Sequence, residues 1–486
     1  MGQIGNDEEL ISEIHDSLHD LINFVKGQVK FGLAGDHLGD ADTTERGVFG
    51  RLLQLGLQLM CLYFSGLGDG DVGEIIEING VEYKRGGRSP ASLLTVFGVV
   101  RFKRFFYYRV DGIKEKSLKF LDSLVNLPSC QASYFVTDWL SRLGVKYSVY
   151  EDAVCFFRDM FALSMSKRTA EAAVAGLEVS YNDYEEQRQP AVEGNGVEEG
   201  ELCVVQSDGK GVTMHVSERT GEGTKKEALV GCVYTVNRHE RSAESVAKSL
   251  TSPDLLDPEE RQELQDRDRA RNIHYRASLE QSKEDEFKRL AEEVNLRRGS
   301  RELVCVLDGA FTLLRLAEKH FPDAKIILDI IHVLDYLWPA VHAFEKEGTA
   351  KAQATACFWL TLILSGKVGY VIGALRQRLT KKGRKLSSKQ RESVEAAIRY
   401  YENHRNYMRY NEYLKAGYPI GTGVIESACG HIVKDRMEIA GARWKMKGAE
   451  PVLHLRCVYN NGEWVDYRAF HKEKQRKKLY CRELAA

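Results

Sequence analysis

Three carboxylates carry the chemistry most readily read from this chain. Asp208 and Asp308 each follow an apolar run, residues 202–205 in one case and 303–307 in the other, and each is followed by glycine. Glu426 comes just after the turn Gly421-Thr422-Gly423. If they converge in space, such groups make a hard-oxygen cage for divalent cations, and two cations about 3.5 to 4 Å apart can cut and join phosphodiester bonds. Taken singly, each is a weak signal. Asp-Gly after a strand is commonly only a turn, and a glutamate in the first turn of a helix is favoured there by the helix dipole. What decides between these readings is the elements that position the three.

From residue 202 the pattern is that of an α/β domain. Residues 202–205 read as a strand running to Asp208, 212–216 as a second and 228–236 as a third. A highly charged stretch, 240–298, carries Phe287, Leu290 and Val294 at helical spacing. Residues 303–307 then form a buried-type strand ending at Asp308, followed by a helix through Phe311, Leu314 and Leu316. A fifth strand, 324–328, ends at Asp329, and a helix begins near Ile331. The order β, β, β, α, β, α, β, α predicts a ribonuclease H-like catalytic domain with a mixed five-stranded sheet, covering 201–337 and 417–460. In that topology the first and fourth strands are neighbours, so Asp208 and Asp308 stand side by side. Residues 338–416 read as an all-α insertion, after which a helix carries Glu426 in its first turn.

The 486 residues, 43% apolar and 29% charged, fit a globular chain of several domains. No leader pattern is legible at the N-terminus. The strongest apolar stretch, near 358–364, is far short of the roughly 20 residues of a membrane span, which predicts a cytoplasmic protein. The ten cysteines are at least 24 positions apart, without zinc-knuckle or CxxC spacing, and read as reduced thiols. His454 and Cys457 sit one helical turn apart but have no second pair of ligands. Residues 367–486 hold 26 Lys/Arg against 12 Asp/Glu, about +14 in a chain whose net charge is -1. That asymmetry is what a polyanion-binding surface requires.

Upstream, residues 1–80 read as helical, with Leu10, Ile11, Ile14, Leu18, Leu21, Ile22 and Val25 on the 3.6-residue period. Residues 81–125 read as a small β-hairpin region. There Arg101, Lys103, Arg104 and Arg109 interleave with Phe102, Phe105, Phe106, Tyr107 and Tyr108, a pattern that can hold nucleic acid or simply pack a small sheet. Residues 126–180 predict three helices, 132–143, 149–160 and 166–177, with Ser164 or Ser166 as the last N-cap. That is the outline of a helix-turn-helix whose final helix presents Lys167, Arg168 and Thr169. An acidic linker, 181–200, precedes the α/β domain, and a basic tail, 461–486, ends the chain.

Several blocks resemble the DDE transposases of ISKra-type bacterial insertion sequences, relatives of the Mutator-like group. They are Ser207-Asp208-Gly209, Val306-Leu307-Asp308-Gly309, residues 329–337 and Tyr418-Pro419-Ile420-Gly421-Thr422-Gly423-Val424-Ile425-Glu426-Ser427. Lys434-Asp435-Arg436, Gly441-Ala442-Arg443-Trp444, 98–108 and Leu127-Pro128 look like that family too. The resemblance covers roughly residues 90–460.

It implies a DNA transposase that cleaves and transfers element ends with two Mg2+ ions, Mn2+ substituting. Asp208, Asp308 and Glu426 would be both catalytic residues and metal ligands. Asp329 and His332 match the family's Asp-x-x-His element, as support for the ligands or as a phosphate contact, unless they merely cap a helix. Lys434, Arg436 and Arg443 would meet DNA phosphates, Trp444 would sit in the core unless it stacks on a base, and Lys210 is a weaker candidate at the scissile phosphate. The implied partners are double-stranded DNA, as terminal inverted repeats and target, and a second copy of the chain on it, in the bacterial nucleoid. A transposase-derived DNA-binding protein without catalysis, and a ribonuclease H-like nuclease that only hydrolyses, are the alternatives.

Overall fold

The computed structural model describes residues 7–35, 39–146, 149–188, 198–219, 223–265, 268–382, 385–439 and 441–481. Two compact units emerge: residues 1–187 with 463–486, and residues 188–462.

The first unit opens with two long helices, α1 (Asp7–Leu33) and α2 (Ala41–Gly66). Asp40 caps α2 by accepting the Thr43 N–H at 2.7 Å. The two helices are tied by Arg51, which pairs with Asp20 at 2.9 Å and lies 3.9 Å over the Phe24 ring. By length and composition α2, rather than residues 358–364, is the helix long and apolar enough to cross a membrane among the described residues.

An antiparallel sheet follows, β1 (Ile75–Ile78), β2 (Val81–Thr95) and β3 (Gly98–Arg109), in the order β1-β2-β3. Gly98, at φ +131°, closes the β2–β3 turn. Along β3 the alternation expected of a half-buried strand is clear: Val100 and Phe102 are buried while Arg101 and Lys103 are exposed. Arg104 breaks the basic row, buried and paired with Asp122.

After the short α3 (Phe120–Leu124) come α4 (Tyr134–Lys146), α5 (Tyr150–Phe161) and α6 (Lys167–Glu178), which share a core of Val136, Leu140, Val154, Phe157 and Ala170. Ser166 is the N-cap of α6, accepting from the Thr169 N–H at 3.2 Å. Part of the stretch read as an acidic linker is helical, α7 (Tyr181–Gln187), with Tyr181 and Tyr184 buried. Residues 189–197 of it lie outside the described residues.

The second unit is built on a mixed five-stranded sheet, ordered β6-β5-β4-β7-β8. Its strands are β4 (Leu202–Thr213), β5 (Lys225–Val236), β6 (Arg271–Ser278), β7 (Glu302–Leu307) and β8 (Lys325–Leu328). Two of the sequence assignments need correction. Residues 202–205 and 212–216 are not separate strands: β4 runs unbroken to Thr213, because β5 pairs with it from Leu202↔Val236 to Thr213↔Lys225. The third meander strand is instead β6, inside the charged stretch. Its polar side chains hid it, yet Arg276 is buried with Glu286, and His274 with Arg188, so the charges are paired within the fold rather than solvated.

Helices cover both faces. On one side α10 (Lys283–Arg297) and α11 (Phe311–His320) bury Cys203, Val205, Leu303, Cys305 and Leu307. α8 (Ala243–Thr251) and α12 (Ile330–His342) pack on the other, over Val204, Val230, Val304 and Val306. The peripheral α9 (Pro258–Gln265) lies between α8 and β6 in the chain. The predicted insertion is helical: α13 (Ala350–Leu364), α14 (Val368–Lys382), α15 (Ser388–His404) and α16 (Tyr410–Lys415). Then come α17 (Gly423–Ala428), a π-helical stretch at Cys429–Lys434, α18 (Asp435–Met437) and α19 (Met446–Asn460). The last helix, α20 (Trp464–Tyr480), returns to the first unit. It replaces the expected basic tail, because Trp464, Tyr467, His471 and Tyr480 form a buried face beneath its lysines.

Candidate active site at the end of the parallel strands

The parallel ladder between β4 and β7 stops at Ser207↔Leu307. Asp208 and Asp308 are each the next residue, at equivalent positions on strands about 4.8 Å apart. Because side chains alternate along a strand, Asp208 shares a face with Val204 and Gln206, and Asp308 with Val304 and Val306. Asp208 Oδ1 accepts its neighbour Gly209 N–H at 2.7 Å, and Oδ2 accepts the Cys429 thiol at 3.6 Å. Burial pushes the Asp208 carboxyl above its ordinary range, the Gly209 N–H opposes this, and the charge of Asp308 adds to the rise.

Asp308 accepts the Ala310 N–H at 2.8 Å, and its own carbonyl accepts from Tyr400 at 2.8 Å. The next carbonyl, of Gly309, accepts from His404 Nε2 at 2.8 Å. Both donors come from α15, so the insertion fixes the strand end. Gly309 sits at φ +92°, where a Cβ would lie 2.7 Å from Leu328 Cδ1 and 2.8 Å from the Tyr400 hydroxyl. This position needs glycine.

Glu426 is placed by two buried polar side chains. Gln206 donates to Gly421 O at 2.9 Å and accepts the Ile425 N–H at 3.1 Å. Asp329, fully buried, accepts the Thr422 N–H at 2.9 Å with one oxygen. Its other oxygen caps α12 by accepting from His332 N at 3.0 Å and His332 Nδ1 at 2.7 Å. Asp329 is thus both a helix cap and a clamp on the Gly-Thr-Gly turn. Its hydrogen bond is the main cause that raises His332 to about 9, with the charges of Asp308 and Asp335 contributing. A positive imidazolium therefore faces the aspartate pair.

Glu426 itself is exposed, and its carboxylate accepts from Thr422 Oγ1 at 2.9 Å. Between it and Asp208 lies Cys429, whose thiol burial pushes up to about 12, with Asp208 and then Glu426 adding. Asp208 and Asp308 are brought together, then, while Glu426 is nearby but turned to Thr422. Among the described residues no three His, Cys, Asp or Glu side chains are gathered closely enough to hold a metal as they stand. The donor chemistry nevertheless fits a hard cation. Two adjacent carboxylates, one of them disfavoured by burial and by its neighbour, are relieved by positive charge between them.

Of the remaining candidates, Lys210 lies two residues beyond Asp208 on the same face of β4. Lys434 and Arg443 are exposed. Arg436 is not at the surface: it is 3% exposed, with its guanidinium 4.9 Å over the Trp444 ring, so this expected phosphate contact packs inside instead. Trp444 joins the core, donating from its indole to Met437 O at 3.1 Å. The π-helical stretch leaves carbonyls off the normal ladder, and buried Arg456 collects those of Ile432, at 2.8 Å, and His431. In the first unit, Lys167 and Arg168 are exposed at the start of α6, Lys167 pairing with Glu151 at 2.6 Å.

Gln206, Tyr400, His404, Cys429 and Arg456 are the site residues that sequence reasoning missed. Only Gln206 left a local signal, a lone amide in an apolar run two residues before Asp208. A cavity of about 610 Å3, lined among others by Tyr234, Arg241, Tyr275 and Glu426, opens beside the same helix start. No protein-family model matches the chain, and no curated protein matches it in sequence.

Proposed function

We propose that this protein is a DNA transposase that cleaves and joins DNA ends at Asp208, Asp308 and Glu426 in a ribonuclease H-like domain. The observation that carries the reading is the register of the sheet. Its central strand is first in sequence, flanked by an antiparallel meander on one side and two parallel strands on the other, and Asp208 and Asp308 stand at equivalent positions where the parallel ladder ends. The expected resemblance to insertion-sequence transposases supports the same residues from an independent direction.

Asp208 and Asp308 would hold Mg2+, with Glu426 completing the set once released from Thr422. The bound ions would supply activation of a water or 3′-hydroxyl and stabilisation of the leaving oxygen. The chain's own groups do the rest. His332, cationic at neutral pH, and Lys210 offer positive charge to a phosphate beside the aspartates. Asp329 and Gln206 hold the Thr422–Glu426 turn, and Tyr400 and His404 fix the Asp308 strand end. Lys434 and Arg443 extend the positive surface along the flanking DNA, with Lys167 and Arg168 on α6 as a separate DNA contact.

The bond from Thr422 to Glu426 favours the non-catalytic alternative. A labelled terminal inverted repeat incubated with protein, Mg2+ or Mn2+ and target plasmid separates the readings. Cleavage and joining, both abolished by Asp208→Asn or Glu426→Gln while end binding persists, is the expected result. Cleavage without joining indicates a nuclease, and binding without cleavage a DNA-binding protein only.

A further inference from the structure

Among the described residues of its unit, helix α1 has one face that is left uncovered. Leu10 is buried with Cys61 and Phe64 of α2, and Phe24 lies against Gly47 and Arg51. About a quarter turn away, Ile11, Leu18, Ile22, Val25 and Val29 are between 38 and 56% exposed. Their spacing of seven, four, three and four residues confines them to a stripe about 60° wide at 3.6 residues per turn. That is the narrow seam of a coiled coil, whose repeat calls for another helix. Over 27 residues the helix is about 40 Å long, far more apolar length than a solitary surface residue explains.

Charge says which helix. α1 begins with Asp7, Glu8 and Glu9 and ends with Lys30 in its last turn, so it is acidic at one end and basic at the other. A second α1 running antiparallel about a two-fold axis near Asp20 sets Ile11 against Val29 and Leu18 against Ile22, and brings Glu8 alongside Lys30 at both ends. A parallel partner would place like charge on like. A membrane surface is disfavoured as well, because Glu9, Glu13, Asp16 and Asp20 make the opposite face of this helix acidic.

We infer that two copies of this chain associate through an antiparallel α1–α1 seam, without DNA. This holds whether or not the chain cuts DNA. Sedimentation velocity of the full chain, free of nucleic acid and at several concentrations, should show a dimer. Leu18→Glu combined with Val25→Glu should give a monomer whose thermal unfolding matches that of wild type diluted to its monomeric form, since both side chains are exposed in the single copy. Glu8→Lys should weaken the dimer by about tenfold in Kd, and adding Lys30→Glu should restore it. A wild-type monomer at every concentration, a double glutamate variant that still dimerises, or a monomer that binds anionic phospholipid vesicles would overturn the inference.

Discussion

Replacing Asp329 by asparagine tests the clamp that joins α12 to the turn before Glu426. The wild-type carboxylate accepts three N–H groups while fully buried, and two come from His332. A histidine raised from 6.5 to about 9 corresponds to roughly 3.4 kcal/mol of preference for the ion pair. Because about a third of the imidazole is exposed, solvent reduces this to about 2 kcal/mol. Asparagine keeps one acceptor oxygen and loses the other, at a further cost of about 1 kcal/mol for the weakened cap.

The sign follows from the direction of the shift. A histidine whose folded value lies above its unfolded value stabilises fully below about 6.5, and that contribution disappears as the pH rises through about 9. Asp329→Asn should therefore cost about 3 kcal/mol at pH 6 and only about 1 kcal/mol at pH 10, read by urea unfolding in EDTA. In parallel, the His332 resonance in wild type should titrate near 9 and fall in the variant, which loses the largest cause of the rise. A stability difference that does not change with pH, or a wild-type His332 titrating near 6.5, would refute the reasoning.

Gly309→Ala should cost about 3 kcal/mol, from a strained positive φ and a Cβ pressed on Leu328 and Tyr400, and should lower cleavage with it; a change below about 1 kcal/mol in thermal unfolding would contradict the close packing seen there. Tyr400→Phe removes the hydroxyl that supports the Asp308 carbonyl, with an expected loss of about 1 kcal/mol by urea unfolding. Mg2+ should raise the melting temperature of wild type and leave Asp208→Asn unmoved in a thermal-shift titration. His471, buried and lowered to about 4 by that burial, must take up a proton on unfolding, so the first unit should lose stability as the pH falls from about 6.5 to 4; His471→Gln should flatten that slope in circular-dichroism melts.

What the sequence disclosed was local. The run before Asp308 is apolar on both faces, as a central parallel strand must be, and Ser166 announced α6 because a hydroxyl at that position satisfies a free N–H. What it concealed depended on distant partners. β6 looked like part of a charged helical region because Arg276 finds Glu286 only after folding, and β4 looked like two strands because nothing local shows that β5 follows it past Asp208. Arg436 reads as a surface cation until Trp444 is folded over it. The carboxylates were legible as a set only through the order of the strands; that the turn before Glu426 is held by Asp329 and Gln206 is a property of contacts spanning 93 and 219 residues of chain.

The hydroxyls of Tyr400 and Tyr410 reach the carbonyls of Asp308 and Leu328, so helices inserted late in the sequence terminate the strands that precede them. The insertion is consequently no passenger that a short loop could replace, since removing it would strand those carbonyls without donors at the most sensitive edge of the sheet. It also means that the strand ends and the insertion melt together. In native-state hydrogen exchange, amides at Asp308 and on α15 should open with one common free energy, and any ligand that settles on the helical insertion would be felt at once by the aspartate pair.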